Sequence, residues 1–185
     1  MNSITLMEEA NTRLIIIDMQ KRLIEGIHNK DKIINNIRKL IKASHILGIE
    51  IIYTEQNPKR LGCTLDNLLL SKEHVIYSKM SFSCVNCEEL LNEIYENHQK
   101  HIVICGIESH VCVQQTVLEL MSKGLVVYLV ADAIGSRHLI DNEIAIKRMG
   151  NSGAILTTAE STIFEWCKTS SRKEFKEISK IIKEN

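Results

Sequence analysis

Short apolar segments alternate with longer amphipathic segments along most of this chain. Residues 13–18 place branched apolar side chains directly before an aspartate, which is typical of a central parallel strand buried on both faces. Residues 30–47 instead repeat apolar positions at helical spacing and end before Gly48, so they predict an amphipathic helix. The same two patterns predict strands at 49–54, 74–79, 101–105, 125–130 and 154–156, and helices at 86–97, 109–122, 139–149, 157–166 and 172–183.

This alternation predicts a three-layer α/β/α fold of the Rossmann-like kind, in which a six-stranded, mostly parallel sheet carries helices on both faces. We expect residues 1–12 to be a lead-in and residues 13–185 to form a single domain. Residues 55–73 are irregular and contain the only proline of the chain. A loop of that length is usually functional, so we expect an active-site wall or a subunit contact there.

Polar residues at three predicted helix starts are candidate caps. Ser109 precedes a helical apolar repeat and offers a hydroxyl at the N-cap position. Asn86 with a glutamate three residues later, and Thr157 with Glu160, have the spacing of a capping box. We therefore expect helices to begin at these three positions.

Charge and composition narrow the classes of partner. The chain has 23 basic and 23 acidic side chains and a formal net charge of zero, which favours neither a nucleic acid nor an anionic membrane as a partner. Its longest apolar run, residues 125–131, is too short to span a bilayer. The first twelve residues lack the basic and apolar regions of a targeting signal. We therefore expect a cytoplasmic protein that acts on a small molecule.

The six cysteines are not spaced like those of a small secreted disulfide framework, so we interpret them as reduced thiols. Cys84 and Cys87 form a CxxC motif with three interpretations: a redox dithiol, half of a zinc site, or two small residues entering a helix. No second CxxC or HxxxH completes a metal set. The third interpretation is favoured.

Residues 101–118 predict a strand, a tight turn at Gly106 and a helix with Cys112 in its first turn. Unpaired backbone N–H groups and the helix dipole would there favour the thiolate, the nucleophilic form of cysteine. The alternative is that Cys112 only packs, as buried free cysteines usually do. Two further residues, Asp18 and Lys79, also follow or end predicted strands. In a parallel sheet, sites form beyond the C-terminal strand ends where the strand order reverses.

These three residues are the types that a cysteine hydrolase requires: a base, a cation and a nucleophile. Backbone N–H groups between Gly106 and Cys112 are candidates for an oxyanion hole. Taken singly, Asp18 is more simply a solvated strand end and Lys79 a surface lysine. Their joint placement is what favours a catalytic site.

Five segments of the chain, spread over residues 13–168, resemble the isochorismatase-like, or cysteine hydrolase, superfamily. The likeness is greatest to the isochorismatase domain-containing proteins, the second of that pair especially, and to their bacterial relatives. The matching segments, in order, are IIIDMQ (15–20), SKMSFS (78–83), CGIESHVCVQQT (105–116), LVADAIGSR (129–137) and GAILTTAES (153–161).

The resemblance implies an isochorismatase-like fold, with Asp18, Lys79 and Cys112 as a catalytic triad. It also implies a cis peptide bond between Ile107 and Glu108, which would turn the N–H groups of Glu108 and Cys112 toward an oxyanion. Homo-oligomers from dimers to octamers are expected on the same ground.

The sequence differs from the superfamily that it resembles in two informative places. Ser109 stands where they commonly have threonine, and the hydroxyl is kept. Nicotinamidases carry an Asp/His metal cluster after the second strand, whereas residues 55–60 read EQNPKR and no histidine follows until His74. We therefore expect no metal and no other cofactor. Because siderophore-type isochorismatases do not depend on the cysteine, Cys112 favours hydrolysis of an amide or a related C–N bond through a thioester.

Lesser candidates surround the triad. Gln20 and Phe82 either line the substrate pocket or pack ordinarily, and Arg137 either binds a carboxylate or crosses a subunit interface. His110 is a weaker candidate for substrate contact, and Asp132 is expected to fix the loop after the fifth strand. Two alternatives to the hydrolase remain: a scaffold that binds a partner on the same fold, and a thiol sensor that uses the CxxC motif. The sequence does not identify the substrate.

Overall fold

A computed structural model of the protein describes residues 6–71, 74–96 and 101–184. They contain a six-stranded sheet in the order β3-β2-β1-β4-β5-β6, in which every pair is parallel. This confirms the three-layer α/β prediction, and the structure adds that the strand order reverses between β1 and β4. The strands are β1 (Thr12–Ile17), β2 (Glu50–Gln56), β3 (Val75–Lys79), β4 (His101–Ile107), β5 (Val126–Gly135) and β6 (Ile155–Thr157).

Alternate residues of β1 point into two different hydrophobic layers. Leu14 and Ile16 belong to the cluster that includes the helices at 30–47, 159–167 and 175–183, while Ile15 and Ile17 belong to the one that includes the helices at 88–96, 114–122 and 139–151. The strand is therefore buried on both faces, as its apolar run predicts. The helices are α1 (Lys21–Ile24), α2 (Lys30–Leu47), α3 (Pro58–Leu61), α4 (Glu88–Glu96), α5 (Gln114–Ser122), α6 (Leu139–Asn151), α7 (Ala159–Cys167) and α8 (Phe175–Lys183).

The three cap predictions are wrong in detail. Ser109 lies inside a helical turn and donates its hydroxyl hydrogen to Asn142 rather than capping. Thr158, not Thr157, accepts the capping hydrogen bond of α7. The helix α4 begins two residues after Asn86, and the preceding turn is capped by Ser83. The apolar repeat locates a helix, but the residue at which the chain turns into it depends on how it leaves the sheet.

Two segments are more ordered than their patterns predict. The irregular region 55–73 includes the end of β2, the helix α3 and a 3₁₀ turn at Asp66–Leu68, while residues 72–73 lie outside the described part of the chain. The strand β5 continues to Gly135 past a register shift. Asp132 lies in that continuation and accepts a hydrogen bond from the backbone of Ala159, so it ties β5 to the start of α7.

The lead-in also contributes to the fold. Met7 is fully buried within the cluster that contacts α2 and α7, and β1 begins at Thr12. Among the described residues, none of the helices combines the length and the apolar character that crossing a bilayer would require.

Candidate active site

The structure brings Asp18, Lys79 and Cys112 together at the C-terminal edge of the sheet. Asp18 follows β1 and is fully buried, while Lys79 ends β3 and Cys112 precedes α5, each with 6% exposure. The Lys79 Nζ lies 2.7 Å from the Asp18 Oδ2, and Cys112 is near enough for the charge of Asp18 to raise the pKa of its thiol. A carboxylate therefore sits between an ammonium group and a thiol.

The backbone around Asp18 has an uncommon conformation. Asp18 has a φ of 50°, in the left-handed region that residues other than glycine rarely occupy. Gly106 of β4 lies directly alongside: a Cβ atom there would stand 2.1 Å from the carbonyl oxygen of Ile17. Only glycine fits at this close approach, which lets β4 lie flush against the strand end that presents Asp18.

Cys112 lies in a π-helical turn, Ser109–Val113, which leads into α5. Such turns are rare and are frequent at functional sites. The peptide bond immediately before the turn, between Ile107 and Glu108, is cis. The turn is anchored laterally, because Ser109 bonds to Asn142 of α6 and His110 Nδ1 lies 2.9 Å from the Ser136 hydroxyl. His110 thus contacts a neighbouring loop rather than the sulfur.

Lys79 is held as a fixed ammonium ion. Its Nζ donates to Asp18, to the Gln56 Oε1 at 3.0 Å and to the Phe82 carbonyl at 3.0 Å. Burial alone would lower the pKa of Lys79, but the charge of the Asp18 carboxylate outweighs this effect and the pKa is raised. Lys79 therefore supplies charge and does not act as a proton donor near neutral pH.

Cys112 is a neutral thiol in the free protein. Burial raises its pKa, the charge of Asp18 raises it further, and the nearby Lys79 offsets only part of the increase. The raised pKa runs against the expected thiolate in the resting site, since burial of the sulfur outweighs the effect of the helix start. The sulfur would become nucleophilic only as its proton passes to Asp18.

Thr54 and Gln56 belong to the site, and sequence reasoning did not select them. Both lie near the end of β2, which the strand order places between β1 and β3. The Thr54 hydroxyl donates to the Asp18 Oδ1 at 2.7 Å, and Gln56 accepts from Lys79. The signal that could have found them is polar character at the C-terminal end of a strand.

Of the lesser candidates, Gln20 and Arg137 have partners other than the triad side chains, whereas Phe82 contacts Lys79 through its backbone. Gln20 is fully buried, and its amide donates to the carbonyls of Gln56 and Gly62, so it fastens the loop after β2. Arg137 has a 61% exposed side chain and donates to the Glu108 carboxylate at 3.1 Å. Phe82 is 53% exposed and contributes its carbonyl to Lys79.

Two cavities border the site. One of about 430 Å³ lies beside β3 and is lined by Lys79 and Cys87, among others. Another of about 290 Å³ is lined by Ser136 and Asn142, which contact the turn that carries Cys112.

The CxxC cysteines face different surroundings. The Cys84 sulfur is buried 3.8 Å from the Thr54 hydroxyl, whereas the Cys87 sulfur lies 3.4 Å from the Glu89 carboxylate. Within the described ranges, no group of three or more His, Cys, Asp and Glu side chains is arranged to hold a metal ion. The Glu55 carboxylate, in the region where nicotinamidases would have metal ligands, instead accepts hydrogen bonds from Thr64.

Comparisons with known proteins identify the family of the chain. Isochorismatase domain-containing protein 1 of Salmo salar is 37% identical over 176 residues, covering 94% of this chain and 62% of that protein. The chain thus spans about three fifths of the length of this relative. Isochorismatase domain-containing protein 2 of Xenopus laevis is 36% identical over 178 residues, covering 95% of this chain and 85% of that protein.

A solved structure is similar over nearly the whole chain. It is named as the structure of MAR1 ribonuclease from Caenorhabditis elegans, with 37% sequence identity and a TM-score of 0.88. The match covers 96% of this chain and 92% of that one. A family model described as the isochorismatase domain matches residues 12–161. The chain therefore belongs to the isochorismatase family and has the fold of its hydrolases.

Proposed function

We propose that this protein is a cysteine-dependent hydrolase of a small molecule with an amide or a related C–N bond, and that Asp18, Lys79 and Cys112 are its catalytic residues. The observation that carries the proposal is the buried Asp18 carboxylate, whose Oδ2 lies 2.7 Å from the Lys79 Nζ and whose charge acts on the nearby Cys112 thiol. Acyl transfer requires a nucleophile, a base and a fixed charge that lie close together.

In the first half of the reaction, Asp18 accepts the Cys112 proton as the sulfur attacks the substrate carbonyl carbon. The negative charge that leaves the sulfur moves to the carbonyl oxygen, where the backbone N–H groups of Glu108 and Cys112 would hold it. Asp18 then passes its proton to the leaving nitrogen, the C–N bond breaks, and a thioester on Cys112 remains.

In the second half, Asp18 takes a proton from water, and the resulting hydroxide attacks the thioester carbonyl. The C–S bond breaks, the acid product leaves, and the proton on Asp18 returns to the sulfur. Lys79 keeps its proton throughout and stabilises Asp18 whenever the carboxylate is charged. A neutral resting thiol suits this reaction sequence, because a carboxylate near the sulfur is available to accept its proton.

The proposal is tested by a screen of small amides, ureas and other carbonyl compounds that reads released ammonia or amine. We expect the wild type to turn over at least one class and Cys112→Ala to lose roughly 10³-fold or more. The matched control is Cys105→Ala, which removes another buried thiol, on β4. Equal turnover by wild type and Cys112→Ala would exclude the nucleophile.

An RNA substrate is a second candidate, because the C. elegans structure with 37% identity is named a ribonuclease. The same preparations should therefore be incubated with a single-stranded RNA. RNA cleavage by the wild type that persists in Cys112→Ala would point to a site other than the triad and would favour this candidate.

We propose further that the protein forms a homo-oligomer through α6. Three large apolar side chains of that helix, Leu139, Ile140 and Ile144, are exposed, and a contiguous apolar face of this kind usually marks an interface. Light scattering should give a multiple of the 21.1 kDa chain mass, which Ile140→Glu with Ile144→Glu should reduce. A monomeric wild type would contradict the proposal.

A scaffold function would be favoured instead if Cys112→Ala kept the full cellular role.

A further inference from the structure

We infer that Thr54 is a positioning residue that orients the Asp18 carboxylate toward the Cys112 thiol, and this inference rests on the proposed function. Thr54 is in β2, which lies between the strands that carry Asp18 and Lys79. Its register partners are Ile17 on one side and Tyr77 on the other. The side chain is 1% exposed, so water does not compete for its hydroxyl.

The hydrogen bonds of Thr54 set the direction of its hydroxyl proton. The Asp18 backbone N–H lies 3.3 Å from the Thr54 Oγ1, and the Cys84 thiol lies 3.8 Å from it. Burial raises the pKa of Cys84 to about 11, so this thiol keeps its proton near neutral pH and donates. A hydroxyl has two lone pairs and one hydrogen. Because both lone pairs face donors, the hydrogen points to the Asp18 Oδ1 at 2.7 Å.

Asp18 is consequently fixed at both oxygens. Thr54 donates to Oδ1 and Lys79 donates to Oδ2 at 2.7 Å. Two donors on different elements prevent the carboxylate from rotating about its Cβ–Cγ bond and leave its remaining lone pairs for the Cys112 proton. Loss of the Thr54 hydroxyl would free this rotation and would also raise the affinity of the carboxylate for a proton.

The test uses iodoacetamide as the probe, so no substrate needs to be known. The rate of Cys112 alkylation is measured by peptide mass spectrometry from pH 4 to 9, with the exposed Cys63 as internal reference. The isosteric Thr54→Val should slow Cys112 alkylation about tenfold at neutral pH. On acidification, the alkylation rate should fall to half at a pH about one unit higher than in the wild type. Thr54→Ser keeps the hydroxyl and should restore wild-type behaviour. Thr162→Val, which removes a buried hydroxyl on α7, is the control.

The outcomes separate this inference from the proposed function. If Asp18→Asn alkylates at the wild-type rate at every pH, Asp18 is not the base and the proposed function fails. If Asp18→Asn is slow but Thr54→Val keeps the wild-type midpoint and rate, the role of Thr54 is overturned and the base stands. A melting curve accompanies each variant, and Thr54→Ala replaces Thr54→Val if the valine variant does not fold.

Discussion

The two ends of the same strands carry two charged networks that differ in one decisive respect. At the N-terminal end, Arg13 of β1 is fully buried and pairs with Glu50 of β2 and Glu93 of α4. At the C-terminal end, Asp18 pairs with Lys79 of β3. Glu50 keeps a 55% exposed side chain in water, whereas both members of the second pair are buried.

The difference shows that a buried ion pair is not by itself a sign of function. Arginine does not release its proton in proteins, so the Arg13 network fixes β1 against α4 and has no means of moving a proton. The Asp18 network adds a buried thiol, Cys112, that is near enough for the carboxylate charge to raise its pKa. The Asp18 network also lies at the C-terminal end of the strands, where a helical turn begins directly after β4. Arg13 lies at the opposite end of the strands. Placement beside a nucleophile is what makes the second network a candidate site.

The largest expected effect is on stability at the buried end. Asp18→Asn leaves the Lys79 ammonium buried without a counter-charge and should lower the free energy of unfolding by about 3–5 kcal/mol. Asparagine tolerates a positive φ, so the backbone is not the cause. Arg13→Met leaves the exposed Glu50 hydrated and should lower stability by about 2 kcal/mol. Urea denaturation at pH 7.5 measures both variants.

Two further measurements, the rate of Cys112 alkylation and the stability of a double variant, complete the comparison of the two charged networks. Arg13→Met should leave the iodoacetamide rate of Cys112 unchanged, since its network does not touch the sulfur. Asp18→Asn combined with Lys79→Met removes both charges and should recover part of the stability that the single change loses. Equal losses for Asp18→Asn and Arg13→Met would contradict the distinction between the two ends.

An intermediate effect is expected at alkaline pH. Burial raises the pKa of Cys84 from 9.0 to about 11, so between these values the folded protein holds a proton that the unfolded chain releases. The stability that the protonated Cys84 contributes is present in full below pH 9 and is lost as the pH rises toward 11. At pH 10.5 the loss from this thiol should be about 2 kcal/mol relative to pH 7.5.

The alkaline prediction is checked by urea denaturation at both pH values. Cys84→Ala should reduce the difference between them by about 2 kcal/mol, while the exposed Cys63→Ala should leave it unchanged. Any cavity left by the alanine lowers stability equally at both pH values and cancels in the difference. An unchanged difference in Cys84→Ala would show that this thiol is not protonated preferentially in the folded state.

The smallest effect is expected at Arg137. Its pair with Glu108 is largely exposed on the arginine side, so Arg137→Gln should change the free energy of unfolding by less than about 1 kcal/mol, and less still in 0.5 M salt. Arg137→Lys is the control that keeps the charge. If Arg137 also binds a substrate carboxylate, KM for acidic substrates should rise without an equal fall in kcat.

The elements of the sheet were predictable because their signals are local. Residues 12–17 form a buried strand, one residue earlier than the apolar pattern indicates, and residues 30–47 form α2 as predicted. The alternation of strands and helices also predicts a common location for Asp18, Lys79 and Cys112, because parallel strands have their C-terminal ends at the same edge of the sheet. The cap residues were shifted because capping depends on the exit angle of the chain, which a residue pattern does not contain.

The pattern of residues along the chain does not determine the spatial order of the strands in the sheet. The order β3-β2-β1-β4-β5-β6 inserts β2 between Asp18 and Lys79 and thereby brings Thr54 and Gln56 to the pair. Likewise, the proton on Cys112 depends on how completely the folded chain excludes water from the sulfur. Residue spacing along the chain therefore established the strands, the helices and the triad candidates, whereas hydrogen-bond partners and protonation follow from contacts between distant segments, because both depend on distance and burial in three dimensions.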